Sequence, residues 1–245
     1  MYDQRQKPPV YGMDKRSKFF QGKHAEIVAA RKFFLLFIFL LASLILYPYT
    51  MGSGSRYYLF RFFGSAVVLL SVYAVSFRRS IVLIAVLLAV PAFVQRIVLF
   101  EFDASALSVI RIGLSLIFDI FIVVVIFRRV FAHDKPNSET VFGALCIYLL
   151  VGFSFSSAYG LIATFEPHAF YLDPTTNLHS IPDRFDFIYY SFGTMTSLGA
   201  AGITPVSGEA RSMSVIESLL GILYLAVLIS RLMAAYRSHN ESQTS

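Results

Sequence analysis

Apolar residues along this chain gather into long unbroken blocks instead of alternating or recurring at one helical face. Six blocks stand out, at about Phe33–Tyr49, Tyr57–Phe77, Ile81–Phe100, Ala104–Phe127, Ser138–Ala163 and Ser212–Tyr236. Coiled as helices, blocks of this length cross a hydrocarbon layer about 30 Å thick. Lipid offers backbone amides no partner, so each block has to satisfy its hydrogen bonds internally; none alternates in polarity as a barrel strand would. The pattern predicts an all-α membrane protein with six transmembrane helices. A seventh apolar stretch, Phe185–Ser197, is about half as long. It predicts a helix that enters the layer and turns back, between helices five and six.

Composition supports this: 56% of the 245 residues are hydrophobic and 15% charged, against roughly 45–50% and 25% in soluble domains. The single cysteine, Cys146, excludes an internal disulfide. Basic residues beside short loops mark the cytoplasmic side. Arg5, Lys7, Lys15, Arg16, Lys18, Lys23, Arg31 and Lys32 precede the first block, Arg78 and Arg79 follow the second, and Arg128, Arg129 and Lys135 follow the fourth. The intervening loops are mainly acidic. A multi-pass protein of the cell membrane with both termini cytoplasmic is expected. The basic tail fixes orientation or lies on anionic lipid, at about 1 kcal/mol per basic residue near the surface. With polar residues before the first block and no small-residue cleavage site after it, that block is expected to stay as a helix.

Pro136, in the polar run His133–Glu139, stops a continuous helix and divides the chain. The expected organisation is a basic tail (1–32), a four-helix membrane bundle (33–132), a linker (133–139), a second module (140–237) and a short tail (238–245). Ionisable groups within the blocks are few. Arg61 and Arg96 lie near helix ends and can snorkel; Arg111 and Asp119 lie deeper and are expected to pair with other helices. A voltage sensor needs several arginines in register on one helix, and the fourth block has Arg111 alone. The loop residues Glu166, His168, Asp173, His179, Asp183 and Asp186 follow no metal-ligand spacing and suit an acidic, cation-attracting vestibule. No HExxH, phosphate-binding glycine loop, cysteine pair or nucleophile elbow occurs, so neither enzymatic activity, a bound cofactor nor a nucleic-acid partner is expected. A secondary transporter would show paired interrupted helices in two related halves, which this chain lacks.

The half-length helix ends near Thr194–Ser197 and runs into a glycine-containing turn that leaves through Ile203-Thr204-Pro205. Non-helical backbone at membrane depth is tolerated where protein buries it or water reaches it. A helix C-terminus aimed inward offers about half a negative charge, and the carbonyls after it can replace an ion's hydration shell. One copy cannot encircle an ion, so such a use requires a ring of subunits.

The stretch resembles the pore of the potassium channel superfamily, where a pore helix leads into T-T-V-G-Y-G-D and then I-T-P. Thr196, Ser197, Leu198 and Gly199 match the first half, and Ile203-Thr204-Pro205 the exit. Tyr190-Ser191-Phe192, Ala210-Arg211-Ser212, Ile216-Glu217-Ser218-Leu219-Leu220-Gly221, Tyr224–Ile229 and Arg231-Leu232 are similar to bacterial six-helix members. The resemblance implies a pore helix at Asp186–Met195, a filter at Thr196, Ser197, Leu198, Gly199, Ala200, Ala201 and Gly202, a homotetramer, and passage of potassium. It departs from the family at Ala200-Ala201-Gly202, where tyrosine, glycine and aspartate are usual. Either Ala201 then takes a left-handed backbone, costing about 1–2 kcal/mol, or the turn is built differently. Fewer stacked carbonyl sites imply weaker discrimination, so sodium joins potassium as a candidate permeant ion. Glu217 braces the filter from behind or pairs with a buried polar group; Gly221 is a gating hinge or a point of close packing. The alternative function is a non-conducting interaction protein that keeps the pore fold.

Overall fold

The computed structural model describes residues 31–46, 55–76, 79–98, 105–132, 138–177 and 179–244. Helices occupy most of these: α1 (31–46), α2 (Ser55–Ala74), α3 (Arg79–Val98), α4 (Ser105–Phe131), α5 (Ser138–Phe165), the short α6 (Arg184–Met195) and α7 (Gly208–Thr244). Three contain stretches long and apolar enough to cross a membrane, at Val109–Phe131, Glu139–Phe165 and Gly208–Met233; Phe63–Ala74 and Arg79–Val94 are shorter apolar segments. The basic tail before residue 31 and the linker at 133–137 lie outside the described residues, as do the side chains of Arg61 and Arg96.

Local chemistry accounts for helix ends that differ from the apolar blocks. α4 runs past Phe127 to Phe131 because Arg128 and Arg129 are good helix formers and their charge suits the last turn. α7 begins at Gly208, before Ser212, because the Ser207 hydroxyl accepts the Ala210 N–H (3.2 Å), supplying a cap. Glu139, in the first turn of α5, takes the Arg129 Nε–H at 2.8 Å and so ties the start of α5 to the end of α4.

Helices α1 to α5 share one apolar core, including Phe33 and Leu36 from α1, Val68 from α2, Ala85 from α3, Phe118 and Ile122 from α4, and Ile147 from α5. The Cys146 thiol donates to the Phe33 carbonyl (3.3 Å), pinning α1 to α5. A second core joins α5 to α6 through aromatic edges: Tyr159 meets Tyr190 at 5.0 Å and Phe170 at 5.6 Å, and Phe170 meets Phe187 at 5.1 Å. Phe170 belongs to β1 (Phe170–Leu172), which pairs antiparallel with β2 (Ile203–Pro205), setting Tyr171 opposite Thr204. This two-stranded ribbon fixes the return from α6 to the segment after α5. The unbroken apolar blocks contain no signal for it.

Candidate functional site

Helix α6 has 12 residues, about 18 Å at 1.5 Å per residue, or half a hydrocarbon layer. Its start is closed by a reciprocal capping box. Asp183 Oδ1 accepts the N–H groups of Phe185 (2.7 Å) and Asp186 (3.0 Å), and Asp186 Oδ2 accepts the Asp183 N–H (2.7 Å). His179 Nε2 lies 2.6 Å from the same Asp186 oxygen, and this hydrogen bond holds the imidazole pKa above its ordinary value. At the far end Thr196 caps the helix, with its N–H (3.0 Å) and its hydroxyl (2.6 Å) both directed to the Phe192 carbonyl.

The segment after Thr196 folds back on α6 instead of extending from it. Left-handed backbone occurs at Ser197 (φ 59°), Gly199 (φ 83°) and Gly202 (φ 86°). Ala201 is spared, so of the two sequence-level alternatives the turn is the one built differently. The cost of about 1–2 kcal/mol falls on Ser197. Gly199 donates its N–H to the Gly193 carbonyl (3.0 Å), and a Cβ at Gly193 would lie 2.7 Å from the Gly199 oxygen, so the helix needs glycine at this crossing. Tyr189 reaches across to take the Ala201 N–H on its hydroxyl (3.2 Å). A tyrosine of α6 thus steadies the loop where Ala200 has no ring to offer.

The filter candidates divide into two groups. The Gly202 carbonyl accepts the Asp173 N–H and Asn177 Nδ2, both at 2.9 Å, and the Ala200 carbonyl accepts the Ile203 N–H (3.3 Å). Thr196, Ser197, Leu198 and Gly199 instead form a continuous exposed run, with Leu198 82% exposed. The structure turns the Ala200 and Gly202 carbonyls inward and leaves Thr196 to Gly199, and also Ala201, exposed.

Glu217 lies behind this loop, fully buried on α7. Its Oε2 accepts the Tyr159 hydroxyl of α5 (2.6 Å), and its Oε1 is 2.5 Å from the Ser191 hydroxyl of α6. Ser191 also reaches the Gly152 carbonyl of α5 at 2.7 Å. Three helices therefore meet on one carboxyl group. One turn later Gly221 passes so close to the end of α6 that an added Cβ would collide with the Met195 carbonyl and lie 2.7 Å from Met195 Cγ. Close approach is the use the geometry makes of Gly221.

Sequence reasoning singled out Glu217 but not its partners. Tyr159, Tyr189, Ser191 and Asn177 sit within apolar or loop sequence whose pairing only the folded chain reveals. Asp183, grouped by the sequence reading with the vestibule residues, caps α6; an acidic residue three positions on, ahead of an apolar run, is the signal that could have found it. The fold gathers His179, Asp183 and Asp186, whose ligand-type atoms lie within 4.8 Å of one another; these atoms are largely spent on capping α6. Arg111 and Asp119 of α4 are half-buried, and both are engaged within the chain.

No curated protein and no solved structure gives a significant match to this chain. Over residues 139–238, from the first turn of α5 to the far part of α7, the chain is similar to one protein family and matches its model, whose description is "Ion channel".

Proposed function

We propose that the chain is one subunit of a cation channel, in which four copies surround an axial path and α6 enters the bilayer between the fifth and sixth of six spans. The observation that carries this reading is the half-length capped helix followed by an exposed run, Thr196 to Gly199, within the segment that matches an ion-channel family. In a ring, that run faces the axis and offers the Thr196 hydroxyl and successive carbonyls to a dehydrated ion. Exposed apolar residues of α7, among them Val215, Leu219 and Leu223 at 55–60% exposure, supply surface for neighbouring copies and lipid. Lys and Arg placement sets both termini in the cytoplasm of a cell membrane, with the basic tail near anionic headgroups.

Selectivity is the property the departures alter. With the Ala200 and Gly202 carbonyls committed inside the subunit, about two stacked sites remain. Potassium passes, and sodium is excluded less strictly than by a full filter. Purified protein in liposomes, assayed for potassium, rubidium and sodium flux, tests this. Flux above empty vesicles, with potassium and rubidium ahead of sodium, is expected; none at any pH or voltage would leave a non-conducting interaction protein. The same committed carbonyls favour that second reading, because they remove ion ligands at the loop's outer half.

A further inference from the structure

We propose that the open cavity between α4, α5 and the loop leading to α6 is a binding site for a small organic carboxylate with an apolar body, taken up from the side on which that loop lies. The cavity has a volume of about 990 Å³, at the upper end of the range for pockets that enclose drug-sized ligands. Arg111 and Ser115 from α4 and Ser156 and Ser157 from α5 line it on one side. Ile112, Ala163, Phe170 and Phe187 supply apolar wall, and His179 and Arg184 stand where the loop enters α6.

Three features select the ligand class. The first is charge. Arg111 and Arg184 face the cavity with a single carboxylate, Asp183, whose Oδ1 already accepts two N–H groups of α6. His179, held toward its charged form by Asp186, is balanced by that carboxylate and leaves the two arginines as the positive side. Arg111 is engaged within the chain, but a guanidinium carries five donors in a planar fork, enough to serve a second acceptor.

The second feature is depth. Ser115 is ten residues from the start of α4 and Ser156 nine from the end of α5, about 14–15 Å along each helix at 1.5 Å per residue. Both are buried, at 9% and 5% exposure. A phospholipid keeps its phosphate near the layer's surface, so hydroxyls this far along, beyond an arginine six residues (about 9 Å) into α4, suit an anion entering head first. The third feature is the wall: aromatic and aliphatic side chains between mouth and floor accommodate an apolar body, which inorganic phosphate lacks.

The site matters because it touches both modules. Arg111 belongs to the bundle, while Asp183, Arg184 and Phe187 belong to the cap and first turn of α6. A bound carboxylate links the two and biases the angle at which α6 stands. The inference does not depend on conduction, since binding is measured without flux.

The test uses full-length protein in phosphatidylcholine vesicles, with radiolabelled decanoate as probe and protein-free vesicles as the blank. Saturable binding near one decanoate per chain is expected. R111Q should weaken it at least tenfold, and A163F, which fills the cavity from the wall without altering charge, should abolish it. Should R111Q fail to fold, as judged by its helical circular dichroism, A163F decides. Neither 1-decanol nor inorganic phosphate should compete. The proposal is overturned if decanoate shows no saturable binding, if 1-decanol displaces it equally, or if binding survives A163F. It is also overturned if phosphatidylglycerol in the vesicles displaces decanoate completely, which would assign the site to a lipid headgroup.

Discussion

Replacing Glu217 separates the hydrogen-bonding role of its carboxyl group from its charge. The group is fully buried, as are its partners Tyr159 and Ser191. Ser191 has one proton and stands between two oxygens, Glu217 Oε1 at 2.5 Å and the Gly152 carbonyl at 2.7 Å. A glutamine fits this arrangement in full. Its amide oxygen accepts from Tyr159, its NH2 donates to the Ser191 oxygen, and Ser191 keeps its proton for Gly152. E217Q is therefore expected to change stability by less than about 1 kcal/mol. E217L keeps most of the volume but strands the Tyr159 hydroxyl, a cost of about 1–3 kcal/mol for one buried unsatisfied group, while Ser191 still has Gly152. E217A adds an unfilled void and should lose roughly 3–5 kcal/mol. Y159F placed on E217L removes the stranded hydroxyl and should recover most of the E217L loss, the signature of coupled neighbours in a double-mutant cycle. Reversible denaturation of the protein in bilayers or detergent, followed by circular dichroism, measures all four. An E217Q as damaging as E217A, or no recovery by Y159F, would refute the three-helix junction.

Other expected outcomes follow from the loop and its rim. The double change A200Y/A201G should sharpen potassium over sodium in the flux assay, and unchanged ratios in a conducting variant would count against the assigned register. Adding G202D should destabilise, because a Cβ there collides with Thr176 and lies 2.8 Å from Asn177 Nδ2, on a backbone with φ 86°. S197G relieves the left-handed serine and should stabilise by about 1 kcal/mol in the same denaturation experiment; a loss instead would mean the hydroxyl has a use that outweighs the strain. Because Asp186 raises the His179 pKa, the stabilisation from that contact is fully present below the ordinary histidine value of about 6.5 and is lost as pH rises through the higher folded value. Protection factors across residues 179–186, that is, hydrogen exchange corrected for its intrinsic rise with pH, should fall over that interval in the wild type and stay flat in H179Q.

How much was legible in the sequence depended on whether the signal was local. The short helix was read at Asp186–Met195 and begins at Arg184, two residues earlier, because the Asp183 cap acts ahead of the apolar run. Apolar blocks located α4 and α5 to within four residues at each end, since bilayer-length apolar runs have one way to satisfy their amides, while α7 starts four residues before its block and runs eight beyond it. The loop was less accessible. Its left-handed positions depend on where Gly199 meets Gly193 and where Tyr189 catches Ala201, contacts set by the fold and not by neighbours in sequence. The commitment of Gly202 to Asn177, 25 residues away, is of the same kind.

Helix α7 also joins the candidate loop to α4 and α5. Its buried residues, Ala210, Glu217, Gly221 and Leu228, are spaced by seven, four and seven, a single stripe turned toward its own chain. Along that stripe the Tyr224 hydroxyl donates to the Ala144 carbonyl of α5 (2.7 Å), and Leu228 enters the core shared with the bundle. Farther on, Arg231 donates to the Val130 carbonyl at 3.2 Å and the Phe131 carbonyl at 3.5 Å, its guanidinium 4.7 Å over the Phe131 ring. These are the last carbonyls of α4, left without helical partners where that helix stops. Arg231 thus ties the end of α4 to α7, ten residues beyond the Gly221 contact with the end of α6. Among the described residues α7 also meets its own chain off this stripe, where the Arg211 Nε–H donates to the Pro205 carbonyl (3.1 Å), so Arg211, Glu217 and Gly221 together hold it beside the loop. In the proposed channel, a displacement of α4 would reach the pathway through this carbonyl cap at Arg231, without a row of arginines on α4.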